Sequence, residues 1–184
     1  MPNNTLNIND FYQYELPSNA VLSPDGQHVL YEKTKMRESE NDYDTQLWLV
    51  DINGQKRRML SIEGSQNKGA VWSPDGLSIA YLSNQSLGTQ LWIHSLESGE
   101  SHRLTRFKYD IGSLAFAPDG NTIYALLPVI GEIEELDDVQ VEENVSKRVY
   151  ESLYYKFDGV GFNDGSRKQL IAIDIDTQAY HQLT

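Results

Sequence analysis

One short phrase occurs three times in the chain and constrains its fold more than any other feature. Ala20–Glu32 reads AVLSPDGQHVLYE, Ala70–Leu82 reads AVWSPDGLSIAYL, and Leu114–Leu126 reads LAFAPDGNTIYAL. Self-similarity at a period of about 44–50 residues is typical of repeat folds, in which each unit buries its apolar faces against its neighbours.

The centre of each phrase has the composition of a tight turn. Proline supplies the fixed φ that the second position of a type I turn needs, and glycine suits the fourth position. We interpret these residues as structural turns with no chemistry of their own. They are Ser23-Pro24-Asp25-Gly26, Ser73-Pro74-Asp75-Gly76 and Ala117-Pro118-Asp119-Gly120.

Each turn lies within a pattern of four strands. Apolar residues alternate before and after the turn, a Leu-Trp or Leu-Ile segment that is apolar on both faces follows, and a second turn leads into a last strand that ends at Leu60, Leu104 or Leu183. Four antiparallel strands per repeat are typical of a propeller blade. We therefore predict an all-β fold, a partial β-propeller of about three four-stranded antiparallel blades. The predicted blades are 10–62, 66–106 and 110–184.

The third repeat differs because about forty residues, 128–167, separate its second and third strands. We predict that this insertion is irregular or partly helical, with Val149 and Leu153 spaced to share one side of a short helix. Its first part is acidic and its second part is aromatic and basic. The acidic run is either a solvated arm or a surface that meets a basic group. Its acidic residues are Glu132, Glu134, Glu135, Asp137, Asp138, Glu142 and Glu143.

The composition restricts the possible functions. The chain has 184 residues, a net charge of −12 and no cysteine. The charge argues against a nucleic-acid partner, and no apolar run approaches the length of a membrane span. The lack of cysteine, and a start without signal-peptide features, favour a cytoplasmic location. No metal or cofactor motif is present, since none of the four histidines has a partner at metal-ligand spacing: His28, His94, His102 and His181.

The repeats and the insertion together resemble the prolyl oligopeptidase family of serine peptidases, in its acylaminoacyl-peptidase and dipeptidyl-aminopeptidase-like branch. The resemblance rests on the Pro-Asp-Gly turns, the Gln-Leu-Trp strands and, most specifically, the segment VYESLYYKFDGVGFNDGSRKQLIAIDI from Val149 onward. It implies a propeller that gates the access of short peptides to a C-terminal α/β-hydrolase domain.

The resemblance also implies where catalysis lies. The family's catalytic Ser belongs to a Gly-x-Ser-x-Gly elbow in the hydrolase domain, and this chain contains no such elbow; Gly99–Arg103, GESHR, is the nearest match. We therefore expect no catalytic residue in these 184 residues. Dipeptidyl-peptidase relatives hold the substrate's amino terminus with a glutamate pair on a propeller insertion. The candidate substrate-binding residues here are Glu134, Glu135, Glu142, Glu143 and Arg148.

Two alternatives remain open from the sequence. One is a non-catalytic propeller that serves as a scaffold for protein partners, as in Tol-type propellers. The other concerns the chain itself, because three blades are fewer than the roughly four to eight that close a propeller. We expect the chain to be part of a longer protein with a hydrolase domain, or to self-associate through exposed blade edges.

Overall fold

Three four-stranded antiparallel sheets form the computed structural model of the chain. It describes residues 7–60, 63–86, 88–136, 156–157, 161–162 and 165–184. Within each large sheet the strands lie side by side in the order in which the chain forms them. The prediction of three four-stranded antiparallel sheets is therefore confirmed.

The first sheet contains β1 (Glu15–Leu22), β2 (His28–Arg37), β3 (Asp42–Asp51) and β4 (Arg58–Met59). The second contains β5 (Asn67–Trp72), β6 (Ser78–Ser83), β7 (Gln90–Ser95) and β8 (Ser101–Arg103). The third sheet contains β9 (Ser113–Phe116), β10 (Thr122–Val129), β13 (Arg167–Asp174) and β14 (Tyr180–Gln182). A separate two-stranded ladder is formed by β11 (Lys156–Phe157) and β12 (Gly161–Phe162).

The sheets stack face to face, and the second sheet is covered on both faces. Ile79 and Tyr81 of β6 pack with Leu47 and Leu49 of the first sheet. The alternate residues of β6, Ala80 and Leu82, belong to the larger core shared with the third sheet. The remaining buried members of that core are Leu91, Ile93, Leu104, Phe107, Ile111, Ile123, Ala125, Leu127, Val129, Ile171 and Ile173. Because side chains alternate along a strand, one strand supplies both cores.

The first strands of the three sheets lie next to one another. β5 contacts β1 on one side and β9 on the other. We call the edge formed by β1, β5 and β9 the inner edge. The last strands, β4, β8 and β14, lie at the opposite side of each sheet.

The two ends of the stacked sheets differ. In each repeat the Pro-Asp-Gly turn is hydrogen-bonded to the turn between the third and fourth strands. The bonds are donated by Ile52 N to Gln27 O (2.9 Å), by Leu96 N to Leu77 O (3.0 Å) and by Ile175 N to Asn121 O (3.0 Å). We call this end the turn end. The connections between second and third strands, including the insertion, leave from the other end, the loop end.

The described helices are two short 3-10 helices, Ile8–Gln13 and Glu38–Glu40, and both lie at the loop end. In the insertion, the described strands are β11 and β12, and the segment around Val149 and Leu153 for which a helix is predicted lies outside the described residues.

Candidate functional site at the inner edge and the insertion

The Ser-Pro-Asp-Gly turns are closed by the same hydrogen bonds in the first two blades. Ser73 Oγ donates to Asp75 Oδ1 (2.6 Å) and accepts from Ser78 N (2.9 Å), and Gly76 N donates to Ser73 O (2.9 Å). Ser23 makes the corresponding bonds in the first blade. In the third blade Ala117 has no hydroxyl, so it makes only the backbone bonds, such as the one that Gly120 N donates to Ala117 O (3.0 Å).

The serine hydroxyl also affects the acidity of the turn. The hydrogen bond from Ser73, followed by that from the Leu77 amide, lowers the pKa of the Asp75 carboxyl below its ordinary value of 3.8. The hydrogen bond from Ser23 likewise lowers the pKa of Asp25. These carboxylates therefore stay ionised as acceptors within the turn, which is a structural role.

Successive turns pack against each other. Gly76 has φ +73°, and a Cβ at this position would lie 3.6 Å from Cδ of Pro24; Gly120 has the same relation to Pro74. The turn residues that the sequence singled out thus form a row along the turn end.

A buried carboxylate joins the first two blades at the inner edge. Glu32, only 5% exposed, accepts hydrogen bonds from the backbone N of Gly69 (2.7 Å) and from Asn19 Nδ2 (2.9 Å). Asn19 and Gly69 occupy equivalent positions, and both have positive φ, 49° and 63°. Each lies in a β-bulge of its inner strand, which turns its backbone toward the neighbouring blade.

Sequence reasoning missed Glu32. Its equivalents in the other repeats are Leu82 and Leu126, so the apolar pattern predicts a leucine-like core position. The available signal was this substitution itself, together with Asn19 and Gly69, which immediately precede the repeated phrase in the first two repeats. A glutamate that replaces leucine in a repeat requires partners, because an unpaired buried charge is costly.

The first part of the insertion is fixed on the connection between the second and third blades. Tyr109 Oη donates to Ile130 O (3.1 Å), Lys108 N donates to Glu134 O (3.0 Å), and Leu136 N donates to Arg106 O. The segment therefore runs antiparallel to residues 106–109, from the end of β10 toward the outer strands. This places Glu134 and Glu135 away from the inner edge.

The two glutamates have different surroundings. Glu134 forms an exposed ion pair with Lys108 (2.8 Å), which raises the pKa of that lysine. Glu135 lines a hollow of about 70 Å³ together with Phe107 and Tyr180. Partial burial, and then the charge of Glu135, raises the pKa of the Tyr180 hydroxyl. The structure does not bring the two carboxylates together as a pair on one group.

The remaining candidates lie elsewhere. Glu142, Glu143 and Arg148 are outside the described residues. Among the described residues, no group of three or more His, Cys, Asp or Glu is arranged to hold a metal ion. In the same part of the chain, no helix is long and apolar enough to cross a membrane.

One Ser–His pair is present, but it does not have the arrangement of a catalytic dyad. His94 Nδ1 lies 2.9 Å from Ser101 Oγ, within a hairpin formed by β7 and β8. His94 is only 2% exposed, and burial, followed by the charge of Arg58, lowers its pKa. Nucleophilic catalysis needs an accessible hydroxyl and a third group that orients the base. His94 is buried in the sheet, so the segment GESHR lacks this arrangement.

Comparisons with known proteins agree with this architecture. The family model for the dipeptidyl peptidase IV (DPP IV) N-terminal region matches residues 23–114. The "Uncharacterized peptidase YuxL" of Bacillus subtilis (strain 168) is 28% identical over 165 residues, which cover 88% of this chain and 25% of that protein.

Solved structures extend the comparison to the fold. The Pyrococcus horikoshii acylaminoacyl peptidase matches 94% of this chain and 25% of its own, at 20% identity and a TM-score of 0.72. The putative TolB of Agrobacterium tumefaciens matches 92% of this chain and 50% of its own, at 19% identity and a TM-score of 0.60. These likenesses show the fold, and neighbours of this kind include propeller domains, so the predicted propeller class is confirmed. The chain spans about a quarter of the length of the Bacillus relative.

Proposed function

Because the chain belongs to the dipeptidyl peptidase IV N-terminal region family and is the N-terminal propeller portion of a prolyl oligopeptidase-family protein, we propose that it controls substrate access in a serine peptidase. The peptidase acts on short peptides, and its catalytic Ser, Asp and His lie in a hydrolase domain outside these residues. The observation that carries this proposal is the inner edge, where β1, β5 and β9 lie side by side.

The inner edge has the features expected of a passage wall. Every residue of β1 is exposed, and β5 and β9 present exposed Lys68, Gly69, Ser113 and Ala115. When further blades complete a ring, such strands surround the central channel of a propeller. A passage bounded by rigid sheets admits an extended peptide and excludes a folded protein.

The Glu32 network supports the rigidity that such a passage needs. It links the bulges of two neighbouring inner strands through the carboxylate, at 2.7 Å from Gly69 N and 2.9 Å from Asn19 Nδ2. Charge-assisted hydrogen bonds of this kind are stronger than neutral ones. The spacing of the first two blades at the inner edge is therefore fixed by side-chain chemistry as well as by packing.

Within the same proposal, the insertion contributes to recognition of the substrate. Glu135 is the candidate supported by the described geometry, because it lines a hollow, together with Tyr180 and Arg106, in which a carboxylate can meet a basic group. Glu134 is the weaker candidate, because Lys108 already neutralises it. Glu142, Glu143 and Arg148 remain candidates from the sequence.

The test uses the full-length protein encoded by the source reading frame. The rate of hydrolysis is measured for a series of peptides of increasing length and, for comparison, for a folded protein that contains the same peptide sequence. We expect kcat/KM to fall steeply as the substrate grows, with no cleavage of the folded protein. Ser113→Trp at the inner edge should lower kcat/KM more for long peptides than for short ones, whereas Ser98→Trp in an exposed turn at the turn end should change neither.

Two results would overturn the proposal. Equal cleavage of peptides and folded proteins would contradict the role of the propeller in access. A full-length protein that hydrolyses no peptide, and that lacks a Gly-x-Ser-x-Gly elbow, would favour the non-catalytic scaffold that the Tol-type alternative describes.

A further inference from the structure

A small apolar hollow opens at the loop end of the first blade. Its wall contains Phe11, Tyr14, Leu16, Met36 and Tyr43, and its volume is about 60 Å³. We call it the aromatic hollow. Four of these side chains are largely accessible, since Phe11 is 56% exposed, Leu16 52%, Tyr14 49% and Tyr43 49%. Exposed apolar surface that is concentrated in one place is typical of an interaction site.

The strand register explains how these side chains meet and where the hollow lies. Leu16 pairs with Thr34, and Met36 pairs with Tyr43. Thr34 and Met36 are two residues apart on β2, so all four lie on the face of the first sheet that turns toward the second blade. Leu16 also belongs to β1, which runs from the loop end to the first Pro-Asp-Gly turn. The aromatic hollow therefore begins at the inner edge, at the loop-end mouth of the passage proposed above.

A short helix holds the remaining wall in place. Asn7 and Asp10 form a capping box at the start of the 3-10 helix Ile8–Gln13, which contacts β2. Phe11 and Tyr14 pack edge to face, with their ring centroids 6.1 Å apart. Aromatic side chains that are already held in position lose little conformational entropy when a ligand binds. The hollow is thus formed before a ligand arrives.

The lining favours an apolar ligand. Thr34 and Lys35 complete the wall, and both already have polar partners. The Thr34 hydroxyl lies 2.9 Å from that of Thr45, and Lys35 Nζ lies 2.6 Å from Glu15. A polar ligand group would lose hydration here without gaining hydrogen bonds to these two side chains, which is costly. Burial of an apolar group is favourable in the same place.

The size of the aromatic hollow suits one side chain. A water-sized sphere needs roughly 10–15 Å³, so a volume of about 60 Å³ admits about four to six atoms of that size. A leucine, isoleucine or methionine side chain falls within this limit. A stable contact with another protein surface buries about 800 Å² on each side, which is far more than this hollow offers. A second copy of the chain would also be repelled by the net charge of −12.

We propose that the aromatic hollow is a subsite for one aliphatic side chain of the peptide substrate. This inference rests on the proposed function, because it names the substrate class of the same passage. An extended peptide along the inner edge points alternate side chains to the same side. One position of the peptide then places a leucine-like side chain in the hollow. Phe11, Leu16 and Met36 determine specificity in this arrangement and take no part in the chemical step.

Hydrolysis of matched peptides by the full-length protein tests the subsite. Starting from a peptide that the protein cleaves, each position in turn is made alanine, leucine, phenylalanine or aspartate, and kcat/KM is measured for each peptide. We expect one position at which leucine raises kcat/KM about ten-fold over alanine, which is at the lower end of the discrimination by an apolar pocket. Aspartate should be the poorest residue at that position.

Two variants change the size of the hollow in opposite directions. Leu16→Trp puts a larger side chain at an exposed position of the wall and should abolish the preference for leucine. Met36→Ala enlarges the hollow and should shift the preference from leucine toward phenylalanine several-fold. Leu77→Trp is the control, because Leu77 is 59% exposed at the turn end, and it should leave the preference unchanged. A merely structural role would lower kcat/KM for all the peptides alike.

Binding is measured independently of hydrolysis by photo-crosslinking. Peptides of the same series carry photo-leucine, a diazirine analogue of leucine, at each position in turn and are irradiated with the full-length protein. Mass spectrometry then locates the crosslink. We expect it within residues 11–16 or 36–43 for one position of the peptide, and an excess of the matching leucine peptide should suppress it. Circular dichroism of each variant checks that the fold is retained.

The outcomes separate this inference from the proposed function. A cleaving enzyme with the same preference in the parent protein, Leu16→Trp and Met36→Ala would overturn the subsite alone. Variants that change only the free energy of unfolding would also overturn it and assign the hollow to packing within the protein. The expected crosslink in a protein that hydrolyses no peptide would support the subsite and overturn the peptidase. Neither hydrolysis nor a crosslink would overturn both.

Discussion

At the scale of single residues, the natural difference between Ser73 and Ala117 isolates the contribution of a turn hydroxyl. Ser73 Oγ makes bonds to Asp75 and Ser78 that Ala117 cannot make in the third blade. We expect Ser73→Ala to lower the free energy of unfolding by about 1 kcal/mol, and Ala117→Ser to raise it by up to a similar amount. Urea denaturation measures both, and equal stability of all three proteins would contradict the assigned role.

The same hydroxyl determines how the turn responds to acid. The folded-state pKa of Asp75 is lowered, mainly by Ser73, so the carboxylate stabilises the fold above its ordinary pKa of 3.8. This stabilisation is lost as the pH falls from 3.8 through the folded-state pKa. Ser73→Ala should therefore have a shallower loss of stability in this range than the parent chain. Leu77→Ser, which leaves the hydroxyl in place, is the control.

Glu32 provides the second test at this scale. Glu32→Ala leaves the Gly69 amide and the Asn19 side chain without their acceptor, which we expect to cost about 1–3 kcal/mol in the free energy of unfolding. Glu32→Gln keeps an accepting oxygen and should cost less. Hydrogen exchange at the Gly69 amide should accelerate in the order parent, Gln, Ala. Unchanged exchange in Glu32→Ala, with Glu97→Ala as the exposed control, would exclude the link between the blades.

At the scale of strands and sheets, the sequence predicted the parts of the fold that depend on local pattern. The alternation of Ile79 and Tyr81 with Ala80 and Leu82 predicts a strand, and the structure shows that these pairs enter two different cores. The turns could be located because Pro has a fixed φ and Gly, which lacks a Cβ, readily adopts the positive φ that these turns require.

The candidate site was less predictable, because it depends on contacts between repeats. The bulges at Asn19 and Gly69 become meaningful only when the neighbouring blade brings Glu32 to the Gly69 amide. Likewise, no local pattern distinguishes Glu134 from Glu135. The two residues differ only through the antiparallel pairing with residues 106–109, which places Glu134 in an ion pair with Lys108 and Glu135 beside a hollow.

The interface between the first and second blades carries a titratable group. His94 lies on the face of the second sheet that packs against the first blade, where Arg58 of β4 is the charged residue nearest in effect. Tyr81 and Arg103 lie on the same face of the second sheet. Burial lowers the folded-state pKa of His94, so the neutral form is favoured in the fold. Stability should therefore be highest above pH 6.5 and fall as the pH drops from 6.5 toward the lowered pKa.

Substitution isolates this effect. His94→Gln should remove that part of the acid-dependent loss, whereas His102→Gln, at an exposed neighbour, should retain it. The free energy of unfolding of each variant is measured as a function of pH between about 7 and 5, a range that includes the ordinary histidine pKa. Parallel curves for the parent chain and His94→Gln would assign the acid sensitivity to other groups.

At the scale of the whole molecule, the repeat equivalence identifies two sheet faces that have no neighbouring sheet within the described part of the chain. Leu47 and Leu91 are fully buried between blades, and their equivalent in the third blade, Leu170, is only partly buried. In the first blade, Trp48 is equivalent to Trp92, which faces a neighbouring blade. Trp48 instead carries Lys33, with Nζ 3.6 Å from its ring centroid. The free face of the first sheet therefore corresponds to the face of the second sheet that packs against the first sheet. The free face of the third sheet corresponds to the faces of the first and second sheets that pack against the next blade.

This complementarity predicts self-association of residues 1–184 when they are prepared alone. The free face of the third sheet can cover the free face of the first sheet in a second copy, as successive blades do within one chain. Since the net charge is −12, repulsion between copies should oppose this contact, and added salt should strengthen it. Light scattering over a range of concentrations measures the mass. Leu170→Asp should return the chain to a monomer because it places a charge in the apolar contact, whereas Leu77→Asp at the turn end should not. A strict monomer at high concentration and high salt would show that these faces require the further blades of a complete propeller.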